Sequence, residues 1–273
     1  MSHTPDDPPP PVHSRRALLA VAALSPLGMH IDLAAMTRVS PLTFVLVHGG
    51  WHGGWCWKTV APLLREKGHV VYTPTLTGLG ERSHLLNPDI GLDTHVRDVA
   101  ATLEYEDLQD VVMVGHSYGG MVVSGVAASD ASVRLAHLIY LDAFLPEPGK
   151  AVQDYAPVPP AKPDGWRVPP PGSARQFGVS DADEAAWVSS RLGDQPRLSF
   201  TQPVPTNDTS TLAVRRTFLR CTDTPWFSEA AERAKRLGFD YHELRTGGHD
   251  AMLSVPVALA SLLISVAQAK SPA

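Results

Sequence analysis

Three observations predict an α/β protein built on a mostly parallel central sheet, with helices on both faces and an inserted lid. Short β-branched apolar runs recur along the chain at intervals that leave room for a helix between them. A glycine-bracketed serine, Gly115-His116-Ser117-Tyr118-Gly119, stands between the strand-like run Val111 to Val114 and the small-residue segment Met121 to Ala128. Between Leu145 and Val214 the rhythm stops, in a stretch carrying "LPEPGK", "APVPPAKPDGWRVPPPG" and "QPVPTND", too rich in proline for a buried sheet.

Taken in order, the apolar runs predict strands over 42–48, 69–73, 110–115, 136–142, 214–221 and 239–245, with helices over 55–67, 93–107, 118–129, 227–237 and 255–268. The insertion spans about 145–213 and holds one helix-like stretch, Asp181 to Leu192. Its aromatic residues Trp166, Phe177, Trp187 and Phe200 are out of character for a disordered linker. Placed after a sheet strand, it is expected to cover the strand ends, where open α/β sheets bind ligands.

A chain of 273 residues with 44% hydrophobic content can bury one large core, expected over residues 41–273. The net charge of −5 supplies no basic face, so no nucleic-acid partner is expected. Two cysteines, Cys56 and Cys221, make no disulfide framework or zinc pattern. His48 and His52 lie four apart, but in a loop rich in glycine and tryptophan and not on one helix face, so neither a metal nor another cofactor is expected. Residues 1–40 read as an extension: a proline-rich leader, then Ser14-Arg15-Arg16-Ala17-Leu18-Leu19, a twin-arginine export pattern before an apolar stretch too short for a stable membrane span. Export is the expectation; the competing one is a cytoplasmic protein starting at Met36, which leads directly into the first strand. A homodimer is left open.

The glycine-bracketed serine matches the G-x-S-x-G nucleophile elbow, in which a sharp strand-to-helix turn exposes the serine hydroxyl. A serine hydroxyl is a weak nucleophile and needs a base, an orienting acid and donors for the developing oxyanion. His249, in a loop beyond Gly247-Gly248 and before the last helix, is the expected base; His116 beside the serine points away from it and is assigned a structural role. The N–H of Tyr118, directly after the serine, and that of Gly50, in the loop "HGGWHGGWCW", are the expected oxyanion donors. Gly49, Trp51, Phe144, Trp166, Trp187 and Met252 are the candidate substrate contacts, favouring a small ester with an apolar or aromatic part.

The ordered segments "FVLVHGGWHGGWCW", "GHVVYTPTLTGLGERSH", "VGHSYGG", "YLDAFLP" and "GGHDAML" together resemble the hydroxynitrile lyase and plant methyl-esterase branch of the α/β-hydrolase superfamily, with its bacterial esterase relatives. The resemblance runs from about residue 42 to the C-terminus and implies an α/β-hydrolase fold. Lyases of this branch carry threonine directly after the first-loop histidine and lysine directly after the catalytic histidine; here those positions hold Gly49 and Asp250. A carboxylate would repel departing cyanide, so a serine esterase is expected in place of a lyase. A hormone-receptor-like ligand binder is the other alternative. The acid stays open between two residues. Related plant esterases place an aspartate fourth in a "C-T-x-D" stretch, where this chain reads Cys221-Thr222-Asp223-Thr224. Asp223 is one residue early, and Asp142, at the end of the strand after the nucleophile, is the competitor because one type of haloalkane dehalogenase uses that strand end.

Overall fold

The computed structural model describes residues 40–205 and 213–269; the leader, Arg15-Arg16 and Met36 lie outside them. From the N-terminal side, β1 (Thr43–Val47), α1 (Val60–Glu66), β2 (Val70–Tyr72), α2 (Leu92–Tyr105), β3 (Val111–His116), α3 (Gly119–Ala127) and β4 (Leu135–Leu141) alternate as predicted. The inserted segment follows, with β5 (Arg167–Val168), α4 (Ala182–Ser189), β6 (Gln195–Pro196) and α5 (Leu198–Thr201). The alternation resumes with β7 (Arg215–Cys221), α6 (Ser228–Arg236), β8 (Asp240–Leu244), α7 (Ala251–Ser254) and α8 (Pro256–Gln268).

Six strands form one parallel sheet in the order β2-β1-β3-β4-β7-β8, while β5 and β6 make a separate two-residue antiparallel ladder. Successive side chains of a strand face opposite sides, and both sides here are covered. Val45, Val47, Val111, Met113, Leu138, Tyr140 and Phe218 join one core cluster; Phe44, Leu46, Val112, Val114, Ile139, Leu141 and Leu219 join the other. That is why the strands read as continuous apolar runs in place of alternating ones.

The element ends follow local chemistry. The helix expected over 55–67 is a 3₁₀ turn, Gly54–Trp57, followed by α1. Pro62 has no N–H to donate, and starting the helix at Val60 puts it in the first turn, where that loss costs nothing. Asp181 caps α4 by accepting from the Glu184 N–H at 2.8 Å, so the expected 181–192 helix starts on register and ends early. Pro256 occupies the first turn of α8, a position that suits its fixed φ.

The pinch between β3 and α3 explains the bracketing glycines. A Cβ on Gly115 would lie 2.7 Å from the Gly119 carbonyl oxygen and 2.8 Å from a Val123 methyl, and one on Gly119 would lie 2.8 Å from the Val47 carbonyl oxygen. Backbone cannot yield as a flexible side chain can. Gly115→Ala is therefore expected to lower stability by about 1–3 kcal/mol, read as a fall in melting temperature of roughly 2–4 °C per kcal/mol. An unchanged melting curve would contradict the pinch.

Candidate active site

Ser117 sits at the joint between β3 and α3 with φ 53°, a left-handed conformation rare for a residue with a side chain. Its backbone is tied to the neighbouring strand end: its N–H donates to the Leu141 carbonyl at 3.3 Å, and its carbonyl accepts from the Phe144 N–H at 3.1 Å. Parallel pairing of β3 with β4 sets His116 opposite Leu141, so the residues just past the two strand ends, Ser117 and Asp142, come out on the same edge. Asp142 is fully buried and also strained, at φ 40°. Its carboxylate accepts from His249 Nδ1–H at 2.7 Å, from the Cys221 N–H at 3.2 Å and from the Thr224 hydroxyl at 3.3 Å.

Of the two candidate acids, the structure brings Asp142 to His249. Asp223 is exposed and makes no hydrogen bond to that ring. Thr224, at the position where the resemblance expects the acid, instead donates to Asp142. His249 follows β8 and two glycines at φ 99° and 64°. Its ring stacks on Phe227 at 5.4 Å with a 17° tilt and touches Trp226 at 4.9 Å. His116 Nε2–H donates to the His249 carbonyl at 3.0 Å. Burial, then the neighbouring His249, holds His116 well below its ordinary pKa, so the ring is neutral.

The loop after β1 is held by two more buried histidines. His48 Nδ1–H donates to the Gly49 carbonyl at 2.8 Å, and its Nε2 accepts from the Leu76 N–H at 3.1 Å. A carbonyl can only accept and an N–H only donate, so the tautomer is decided by its partners. Burial lowers the His48 pKa to about 3. His52 Nδ1–H donates to the Gly50 carbonyl at 2.7 Å, and its Nε2 lies 3.1 Å from Asp250 Oδ2. Among the described residues, no protein acceptor is bonded to the N–H of Gly50 or of Tyr118.

Beside Ser117, Tyr118 and His249 opens a cavity of about 670 Å³. Its walls are Trp51, Phe144, Phe177, Phe200, Trp226 and Phe227, and the inserted segment adds Val152, Tyr155 and Val158.

The sequence of residues 44–262 matches the alpha/beta hydrolase family model. The chain belongs to that family. It is 37% identical over 243 residues to a carbendazim hydrolyzing esterase of a Nocardioides strain, covering 82% of this chain and 98% of the relative. Methylesterase 10 of Arabidopsis thaliana is 28% identical over 255 residues, covering 82% and 91%. An extracellular alpha/beta-hydrolase from a Paenibacillus species superposes with a TM-score of 0.72 at 22% identity, covering 84% of this chain and all of that one. These relatives place the chain in the methylesterase-like branch, as a carboxylic ester hydrolase.

The hydrolase carries the predicted substrate contacts to different places. Trp51 and Phe144 line the cavity. Gly49 lies just behind it, where a Cβ would come within 3.0 Å of the Ser117 Cβ. Trp166, Trp187 and Met252 are not on the cavity wall. Met252 is fully buried in the core beneath α8, and Trp187 packs edge-on against Trp55 between Lys58 and Arg191, whose cations lie 3.3 and 4.0 Å from its ring centre. Phe177, Phe200, Tyr155 and Phe227 line the cavity without having been singled out for it; their only signal was aromatic character near proline. Gln195 was missed as well. It is fully buried and its Oε1 accepts from the Trp51 N–H at 3.0 Å.

Three ligand-type atoms of His116, His249 and Asp250 lie within 4.8 Å of one another. Asp142 takes His249 Nδ1, His52 takes Asp250 Oδ2 and the His249 carbonyl takes His116 Nε2–H, while Asp250 Oδ1 and His116 Nδ1 have no hydrogen-bond partner among the described residues. The cluster reads as a hydrogen-bond network. Among the described residues, no helix is long and apolar enough to cross a membrane.

Two tests follow from this geometry. Asp142→Asn should lower kcat by about four orders of magnitude, because an amide no longer selects the Nδ1–H tautomer or stabilises the imidazolium, while Asp223→Asn stays within about twofold of the parent; the reverse ranking would return the acid to the β7 loop. The second test concerns pH. Burial holds His48 at about 3, His95 and His137 at about 4, and His116 well below normal. Because folded pKa values lie below the unfolded value of roughly 6.5, the unfolded chain binds more protons between pH 6.5 and 4. Stability must fall with pH in that window, by up to roughly 1.4 kcal/mol per pH unit per histidine. Melting temperature should drop steeply from pH 7 to pH 5, and His137→Gln, remote from Ser117, should shallow the slope by about one proton. A flat profile would mean these rings charge in the folded state.

Proposed function

We propose that this hydrolase cleaves carboxylic esters with an apolar or aromatic part through an acyl-enzyme on Ser117. The observation that carries the reading is the strained Ser117 elbow beside a buried His249–Asp142 pair at 2.7 Å. With Nδ1–H donating to Asp142, the Nε2 lone pair of His249 is left to take the Ser117 proton as Oγ attacks the ester carbonyl. The N–H groups of Gly50 and Tyr118 receive the oxyanion. His249 then returns the proton to the leaving alcohol, and a water activated by the same ring hydrolyses the acyl group. The segment between β4 and β7 serves as a lid, because its residues form much of the cavity wall over the serine. A cavity of about 670 Å³ falls within the range of drug-sized ligand sites, larger than a short alkyl ester needs.

A cyanohydrin lyase is disfavoured by Asp250. That residue occupies the position of the lyase lysine, and its carboxylate is buried against His52. A ligand receptor would fail to turn over.

Ser117→Ala should abolish hydrolysis of a p-nitrophenyl acetate while leaving the circular dichroism spectrum unchanged. A p-nitrophenyl phosphonate ester should transfer its phosphonyl group to Ser117 Oγ with release of p-nitrophenolate, adding the mass of that group less one hydrogen to the Ser117 peptide of the parent alone. Retention of more than about a tenth of the activity would end the assignment, since loss of a nucleophile costs orders of magnitude. A panel of aryl, alkyl and bulky pyrethroid-like esters, together with carbendazim, should rank bulky aromatic esters above short alkyl ones; the opposite ranking would overturn the substrate class.

A further inference from the structure

We propose that Asp250 and His52 are positioning residues: a second buried carboxylate–imidazole pair that transfers no proton and holds the oxyanion loop in the conformation that aims the Gly50 N–H. The inference rests on the acyl-enzyme reading above and adds to it the device that preorganises the hole.

The two ring nitrogens of His52 face two acceptors. Nδ1 is 2.7 Å from the Gly50 carbonyl, which can only accept, and Nε2 is 3.1 Å from the Asp250 carboxylate. With both nitrogens donating, the ring is an imidazolium paired with a carboxylate, and both side chains are buried. Burial opposes charge on each, yet each holds the other charged: Asp250 keeps His52 above its ordinary pKa, and His52 keeps Asp250 below the usual carboxylate range. Of the other titratable neighbours, His116, 3.8 Å from Asp250 Oδ1, and His48 are held neutral by burial, burial pushes the Cys56 thiol up, and His249 has its own carboxylate partner in Asp142.

A peptide unit is planar, so fixing its two ends fixes its orientation. The Gly50–Trp51 unit is fixed at its oxygen by His52 and at its N–H by Gln195 Oε1, 3.0 Å away. The Gly49–Gly50 unit is fixed at its oxygen by His48. Gly50 is thus held between two oriented planes, and the direction of its N–H follows. Packing would not do this. A Cβ at Gly50 would meet nothing closer than a Phe200 ring carbon at 3.6 Å, and glycine is free to rotate in such space. Trp51 supplies the complementary sign, a bulky residue held at φ 64°. Such a conformation costs of order 1–3 kcal/mol and persists where surrounding contacts over-determine it.

The pair also sets one loop against the other. Asp250 is joined to His249, and its N–H donates to the Phe177 carbonyl at 2.8 Å, while its carboxylate reaches 198 residues back to His52. The base and the hole therefore share one anchor.

The test has a readout on the parent protein and another on variants. In parent protein labelled with 15N-histidine, both ring nitrogens of His52 should carry hydrogens at pH 7; a neutral His52 overturns the proposal whether or not any variant folds. Asp250→Asn and His52→Gln, each compared at unchanged near-UV circular dichroism, should lower kcat about 10- to 100-fold, as a misaimed oxyanion donor does. KM should stay within about threefold, phosphonate labelling of Ser117 should slow by the factor seen in kcat, and the double variant should be no worse than the single ones. Folded variants with kcat within twofold of the parent, or with a fall in kcat that the phosphonate labelling rate does not share, would overturn the proposal. Failure of the acyl-enzyme reading is recognised separately, by Ser117→Ala retaining turnover.

Discussion

Asp142 imposes the strongest constraint in the molecule. A carboxylate removed from water must be matched by donors or it will not stay charged, and Asp142 is fully buried. Three donors meet it, from two stretches of chain: Cys221 N–H at the end of β7 with the Thr224 hydroxyl just beyond it, and His249 Nδ1–H after β8. Its own N–H donates to the Leu219 carbonyl at 2.7 Å. The C-terminal edges of β4 and β7 and the loop after β8 are therefore drawn together at one carboxylate. The same strand edge carries the Ser117 elbow through its bonds to Leu141 and Phe144.

Around this centre the polar interior is built from histidines whose neighbours decide their protonation. His48, His95 and His116 each orient a backbone or side-chain group: the Gly49 carbonyl, the Tyr118 hydroxyl and the His249 carbonyl. His95 Nε2–H donates to the Thr77 carbonyl at 3.0 Å, so its Nδ1 is the acceptor of the Tyr118 O–H at 2.8 Å. Neutral rings with one donor and one acceptor do this work without burying charge. His52 is the exception, because a buried carboxylate, Asp250, is bonded to it.

The inserted segment joins the site by two different means. Its aromatic and aliphatic side chains wall the cavity, while Gln195, Val168 and Phe177 bond to Trp51 and Asp250. In the same wall Phe200 meets Tyr118 edge to face at 5.8 Å between centroids and Trp51 at a 58° tilt at 5.4 Å. One segment thereby shapes the space for a ligand and restrains the loop that faces it.

The layered α/β fold, the sheet strands, the strand-to-helix joint at Ser117 and the loop position of His249 after the last strand were legible in the sequence, because apolar periodicity and glycine punctuation act over a few residues and leave their mark locally. The pinch at Gly115 and Gly119 is likewise a local steric demand. Choosing between Asp142 and Asp223 was not legible. Both follow a strand of the same sheet, and which carboxylate reaches His249 depends on how three loop ends converge at the sheet edge. The cavity wall was hidden for a related reason: Met252 and Phe200 are equally apolar on paper, and only the packing of α7 and the inserted segment turns one into the core and the other toward Ser117. Local pattern set the elements and the turn that carries Ser117; the Asp142–His249 contact, the wall and the His52–Asp250 pair were decided by tertiary structure, because each depends on side chains brought together from distant parts of the chain.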